Sequence, residues 1–264
     1  MPEGDTVYRA ARNLDTALAG QVLTGCDVRV PRYATVDLTG QTVESVGSRG
    51  KHLLLRTEEA LVHSHLKMEG AWHLYRPGGR WRRPAFEARI VLDTAPWQAV
   101  GFALGVLEVL PRAQEEDVVG YLGPDLLGPD WDAETALANI AAQPERAIGL
   151  ALLDQRNLAG VGNVYRNELC FLRGVLPTRP VGEVRDLPRM VDLAKRTLEA
   201  NKNRVERTLT GDTRSGKQDW VYGRTGKPCR RCGTRIRGGS LGDPVRPGQG
   251  AQDRETYWCP RCQT

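Results

Sequence analysis

The sequence predicts an α+β multidomain chain. An N-terminal β-sandwich opens with a helix, a helical domain follows, and a small cysteine-rich module closes the chain. Three observations predict this. Short Val- and Leu-rich runs, punctuated by Gly, Pro or Asp, fill residues 21–102. Apolar residues recur at helical spacing over residues 133–201. Four of the 6 cysteines stand as two Cys-x2-Cys pairs near the C-terminus.

The elements follow in order. Val7, Ala10, Leu14 and Leu18 share one face of a helix over residues 6–19, with Asp5 placed to cap it and Gly20 to end it. Strands are expected over 21–30, 42–46, 52–56, 61–66, 70–75, 87–93 and 97–102. Residues 111–132 change character. They hold the acidic run Glu115, Glu116, Asp117 and a twice-written Leu-Gly-Pro-Asp, which reads as a linker. Helices are expected over 133–142, 146–153, 164–172 and 187–201, the second and third joined by a short Gly-containing connection. This gives domains at 1–120, 121–220 and 221–264. The last holds too little apolar material to build a core of its own.

Composition excludes several classes. With 40% hydrophobic and 26% charged residues the chain is globular rather than disordered. No run of about 18 apolar residues offers a membrane span. Charges from position 3 onward argue against a secretory leader, so a soluble, cytoplasmic protein is expected. The net charge of +5 hides an asymmetry: residues 201–264 carry 14 Lys and Arg against 6 Asp and Glu, whereas the first 200 are slightly acidic. The tail therefore favours an anionic partner.

Cys229-x2-Cys232 and Cys259-x2-Cys262 suit one tetrahedral Zn²⁺, because two knuckles close four thiolates on one ion. The 26 residues between the pairs are more than usual, and the Gly/Pro-rich stretch 238–250 reads as a disordered insertion. Cys26 and Cys170 stand alone and read as buried small hydrophobes. Around the zinc ligands lie Arg230, Arg231, Arg235, Arg237, Arg254 and Arg261, a pattern suited to nucleic-acid phosphates. In Gly160-Val-Gly-Asn163 two glycines precede a helix start. This is either an anion site at the positive end of the helix or a helix capped by Asn163. At the other terminus, removal of Met1 exposes the secondary amine of Pro2, one residue from the carboxyl of Glu3. An α-amine with a pKa near 8 is partly uncharged at neutral pH and can attack an electrophilic carbon.

The ordered set Met-Pro-Glu-Gly, Gly50-Lys51-His-Leu-Leu-Leu, His65-Leu-Lys-Met68-Glu-Gly, Leu153 through Asn163, Val221 through Cys229, and Arg254 through Gln263 resembles the formamidopyrimidine-DNA glycosylase/endonuclease VIII family of base-excision repair enzymes. The resemblance runs from residue 2 to residue 263. It implies a helix–two-turn–helix domain before a zinc ribbon, with Cys229, Cys232, Cys259 and Cys262 holding one structural zinc. It implies a bifunctional DNA glycosylase and abasic-site lyase in which Pro2 forms the Schiff base and Glu3 moves protons. Lys51 matches a lysine that contacts phosphate at the lesion, and Asn163 matches the phosphate-binding asparagine. Arg254 matches the ribbon arginine that grips lesion-flanking phosphates. Met68 falls at the position that fills the gap left by a flipped nucleotide, beside Lys67. The implied partner is damaged double-stranded DNA, with no organic cofactor and a monomeric, nucleoid-associated enzyme.

The departures are informative. Thr6 stands where the family commonly has a second glutamate, and Tyr121 where an arginine is common. A lysine typical of the 8-oxoguanine-specific branch would fall near Gly149, and an Arg/Phe pair near residues 102–108; neither is present. These absences favour the endonuclease VIII branch and oxidised pyrimidines. The alternatives are an 8-oxoguanine/formamidopyrimidine glycosylase and a catalytically silent zinc-ribbon DNA-binding protein.

Overall fold

A computed structural model describes residues 2–243 and 253–264. The chain divides into two compact units, Met1–Tyr121 and Leu122–Thr264.

The first unit opens with α1 (Gly4–Leu18). Its N-cap is Glu3, not Asp5, and Asp5 lies in the first turn. The expected start was two residues late because Gly4, a poor helix former, stands inside the helix. Eight strands follow: β1 (Gly25–Val28), β2 (Val43–Arg49), β3 (His52–Thr57), β4 (Ala60–His65), β5 (Ala71–Tyr75), β6 (Ala88–Asp93), β7 (Gln98–Phe102) and β8 (Val106–Pro111). They form two four-stranded sheets, ordered β1-β6-β7-β5 and β2-β3-β4-β8, with antiparallel pairing throughout. Strand β8 was not expected from the sequence. Its apolar run ends in Pro111, which an edge strand tolerates. The core joins Val7, Leu14 and Leu18 of α1 to Leu53, Leu55, Val62, Ile90 and Leu92 from both sheets. Alternating inward residues make that possible. The acidic run of the expected linker is the short helix α2 (Glu115–Val119), and Glu115 holds Arg56 through paired bonds of 2.8 and 2.5 Å.

The second unit carries α3 (Ala133–Ala141), α4 (Ile148–Ala151), α5 (Asn163–Arg173) and α6 (Leu187–Asn201). Asp132 caps α3 by accepting from the Glu134 and Thr135 amides. Asp186 caps α6, which has Pro in its first turn. Gly174, at φ +68°, ends α5. Leu152, Leu158, Val161, Tyr165, Leu169, Met190 and Leu198 form the shared core.

Two more strands, β9 (Arg237–Leu241) and β10 (Arg254–Trp258), pair antiparallel beside the cysteines. The expectation of disorder over 238–250 fails at its start, where residues 238–241 are strand. The remainder from 244 lies outside the described residues. A Cβ at 239 would crowd the Trp258 ring at 3.2 Å, and one at 238 would come within 2.3 Å of Thr225 Oγ1. A glycine pair has low strand propensity, so the strand was invisible without its partner. Cys229, Cys259, Val221 and Ile236 share a small core with Phe171 of α5. Among the described residues no helix is long and apolar enough to cross a membrane.

Candidate functional site

In the first unit, Pro2 is partly exposed and Glu3 is fully buried. The Glu3 carbonyl accepts from the Thr6 and Val7 amides at 2.9 and 3.0 Å, while its carboxyl makes no capping hydrogen bond. Thr6 is turned to its neighbour: its amide and hydroxyl donate to Asp5 Oδ1 at 2.7 and 3.3 Å. Asp5 is itself buried, so a second carboxyl does stand close to Glu3 in the chain, one position before the expected one.

Lys51 sits in the two-residue turn between β2 and β3, whose closing pair is Arg49 and His52. Gly50 takes φ +56°, as such tight hairpins require at their first turn position. Lys67 and Met68 lie in the turn between β4 and β5. The Gly70 amide closes that turn on the Leu66 carbonyl at 2.8 Å, and Lys67 adopts φ +52°. The Lys67 stem covers Gly105, where a Cβ would come within 2.2 Å of its Cγ. Met68 is 59% exposed, which excludes a core methionine. Met68→Ala is therefore expected to leave thermal stability unchanged and to weaken binding of a lesion duplex. Gly70→Ala is expected to destabilise the turn, since its Cβ would lie 2.4 Å from the Leu66 carbonyl oxygen. Thermal melts and fluorescence anisotropy on both variants check this pair.

Sequence reasoning missed a run of polar side chains that starts next to Lys51. His52 Nδ1 and His63 Nε2 are 2.8 Å apart, His63 Nδ1 and Glu108 Oε2 2.9 Å, and His52 Nε2 and the Tyr121 hydroxyl 3.1 Å. His63 is buried and Tyr121 is 54% exposed. Burial, then the charges of His63, His65, Lys67 and Lys51, pushes the His52 pKa down to about 3. Burial, Lys67, Lys51 and His63 push that of His65 to about 4. The only signal in the sequence was that three of the 4 histidines fall on the two strands after Lys51. The cross-strand register that joins His63 to Glu108 was not legible.

In the second unit, Gly160 and Gly162 precede α5, with Gly160 at φ +114°. The N-cap is Gly162, and Asn163 is the first helical residue. Its Nδ2 donates to the Glu255 carbonyl at 2.9 Å, one residue after Arg254. Arg166 Nη2 donates to the same carbonyl at 3.0 Å and also to Asn163 Oδ1, and Asn167 Oδ1 accepts from the Tyr257 amide at 2.7 Å. The first turns of α5 thus grip β10 and fix where Arg254 starts. Glu168 secures the other approach to the ribbon by accepting from the amides of Trp220, Val221 and Tyr222 at 2.7, 2.8 and 2.9 Å. Burial, then Asp219, raises its pKa to about 7 against the pull of those three donors.

The four cysteine sulfurs lie within 4.8 Å of one another, with 4.0 Å between Cys229 and Cys262 and 3.5 Å between Cys232 and Cys259. A tetrahedron with Zn–S near 2.3 Å has edges of about 3.8 Å, so the set fits one zinc ion. The surrounding arginines divide. Arg230 donates to the Asp219 and Gly216 carbonyls, Arg235 to the Gly226 carbonyl, and Arg231 lies 4.5 Å over the Phe171 ring. These three make contacts within the second unit, and Arg231 and Arg235 are exposed all the same. Arg237, Arg254 and Arg261 are exposed. Gly149, in α4, is buried against Pro177, whose carbonyl oxygen would lie 2.8 Å from an added Cβ. The turn from β7 to β8 is only three residues long, and Phe102 before it is buried.

Models of two domains match this chain: the formamidopyrimidine-DNA glycosylase N-terminal domain over residues 1–103, and the H2TH domain of the same enzymes over residues 122–210. The chain is 56% identical over 267 residues to the protein named DNA-(apurinic or apyrimidinic site) lyase Nei2 of Mycolicibacterium smegmatis, covering 100% of this chain and 99% of that one. It is 52% identical over 267 residues to endonuclease 8 2 of Mycobacterium tuberculosis, covering 100% of both. A formamidopyrimidine-DNA glycosylase of Methylococcus capsulatus is 33% identical over 285 residues, again with 100% of both covered. In fold it is similar to the Lactococcus lactis formamidopyrimidine-DNA glycosylase solved on abasic-site DNA, with a TM-score of 0.80, 23% identity and 99% of each chain covered. With both domain models in place and more than half its residues shared end to end with proteins named Nei2 and endonuclease 8 2, the chain belongs to the formamidopyrimidine-DNA glycosylase/endonuclease VIII family, on its endonuclease VIII-like branch.

Proposed function

We propose that this protein is a bifunctional DNA glycosylase and abasic-site lyase of base-excision repair that acts on oxidised bases, pyrimidines above purines. One observation carries the reading: the fully buried Glu3 adjoins Pro2. Burying a carboxyl is costly, and a proton-transfer role beside a nucleophilic amine accounts for it.

The Pro2 amine, freed by loss of Met1, attacks C1′ of the damaged nucleoside and displaces the base. Glu3 supplies the proton that opens the sugar ring. As that proton goes to O4′ the C1′–O4′ bond breaks and leaves an iminium at C1′, which acidifies the C2′ proton; elimination then breaks the strand 3′ to the lesion, and a second elimination breaks it 5′. Lys51 and Lys67 bind phosphates near the lesion, and Tyr121 adds a contact from the same unit. Met68, exposed at a turn, fills the stack vacated by the flipped nucleotide, whose extrusion costs a few kcal/mol. Asn163 and Arg254 hold phosphates from the second unit. The cysteine-held zinc is structural: it fixes the hairpin that carries Arg254. The preference for pyrimidines is supported by Gly149, where packing leaves no room for a lysine, and by the three-residue β7–β8 turn, too short to insert an Arg/Phe pair.

Borohydride trapping on an abasic-site duplex tests the chemistry. A covalent adduct at the N-terminal peptide is expected, and retention of Met1 is expected to abolish it. Processed protein that forms no adduct overturns the mechanism and favours a silent DNA-binding protein. Incision of thymine glycol, dihydrouracil and 8-oxoguanine in otherwise identical duplexes ranks the lesions.

A further inference from the structure

The run Tyr121–His52–His63–Glu108 has no part in the chemistry above. It starts at an exposed phenol and ends at a carboxylate, with two imidazoles between. Glu108 sets its direction. A carboxylate only accepts, so His63 donates from Nδ1, and with its ring neutral its Nε2 accepts. His52 then donates from Nδ1 to His63, and its Nε2 accepts from the Tyr121 hydroxyl. Every hydrogen points inward, and the outer side of the Tyr121 oxygen offers only lone pairs. Burial and the surrounding cations keep His52 uncharged, its pKa at about 3, so a proton that passes along the run does not stay on His52.

One added proton reverses the run. It enters at the Tyr121 oxygen, the phenol's original proton passes to His52 Nε2, and the His52 Nδ1 proton passes to His63 Nε2. His63 then donates from both nitrogens and carries a positive charge 2.9 Å from the Glu108 carboxylate. The Tyr121 hydroxyl now points outward as a donor. Only N–H and O–H bonds change, and the balance is one proton taken from solvent. The groups facing His52 are His63, His65, Lys67 and Lys51, with Arg49 opposite on β2 and Glu108 opposite His63 on β8. The cations resist the proton; an arriving phosphate offsets them.

We propose that Tyr121 is a phosphate-binding group whose contact with DNA is coupled to uptake of one proton by the run Tyr121–His52–His63–Glu108. This rests on the reading that the Lys51 face of the first unit meets DNA. The sign follows: binding that takes up a proton strengthens as pH falls, by up to about tenfold per pH unit for one proton.

Isothermal titration with a tetrahydrofuran-containing duplex, in two buffers of different ionisation heat at about pH 6.5 and 8, measures the uptake directly. Native protein is expected to take up close to one proton more per complex than Glu108→Gln or Tyr121→Phe, and to gain more affinity at the lower pH. Tyr121 is exposed, so its variant tests the run even if loss of Glu108 disturbs the sheet. Equal uptake in native protein and both variants overturns the proposal. Native-like uptake in Tyr121→Phe alone overturns Tyr121 as its outer end. Failure of native protein to bind the duplex at all overturns the reading of function beneath it.

Discussion

Glu3→Gln is expected to lower excision of an oxidised base by about 100- to 10,000-fold, the range that one positioned acid contributes. The change keeps shape and removes the group's ability to give and take a proton. Because the Glu3 backbone carbonyl, not its side chain, accepts from Thr6 and Val7, α1 is expected to form unchanged. Cleavage at a preformed abasic site is expected to fall much less, since no base must leave and part of that sugar is already an open aldehyde. Single-turnover assays on a thymine-glycol duplex and an abasic duplex, with circular dichroism as the fold control, separate the two steps. Equal losses on both substrates contradict the role given to Glu3. A further drop in Glu3→Gln when Asp5→Asn is added would assign the adjacent buried carboxyl to the same proton traffic.

Removing zinc is expected to have the second largest effect. Small zinc modules draw about 10–16 kcal/mol of apparent binding energy from the ion, and this ribbon shares its core with Phe171 of α5. Chelation, or Cys262→Ser, is therefore expected to loosen both β9–β10 and the end of α5. Hydrogen exchange should rise there and stay unchanged in β2, β3 and β4. Duplex affinity should fall at least about tenfold, and the slope of affinity against salt should drop by about one for each phosphate the loosened ribbon releases. Chelated protein with an unchanged salt slope contradicts the assignment of Arg254 to DNA.

The sequence made some features legible and concealed others for physical reasons. Cys229, Cys232, Cys259 and Cys262 were readable because their geometry is set by two local knuckles. The helix over residues 187–201 was readable residue for residue, since Asp186 and a first-turn proline mark its start. Strand β9 was not, because its glycines answer to Thr225 and Trp258 rather than to a local propensity. Arginines were the least readable. Arg254 and Arg231 look alike in a basic tail and both are exposed, yet Arg231 lies over the Phe171 ring while Arg254 opens β10. Composition reports a charge and not what neutralises it. The histidine run was hidden for a related reason: His63 and Glu108 are 45 residues apart, and only strand register makes them neighbours.

The grip of α5 on β10 has an evolutionary consequence. Asn163 and Arg166 both address the carbonyl oxygen of Glu255, an atom common to every amino acid. Position 255 can thus change its side chain, giving up only the 2.6 Å bond that its carboxylate accepts from the Tyr257 hydroxyl, while the placement of its neighbour Arg254 is inherited intact. Drift at 163 or 166 has no such freedom, because there the side chain itself makes the bond. A search for paired substitutions across this joint should find none, although the two elements it connects depend on each other.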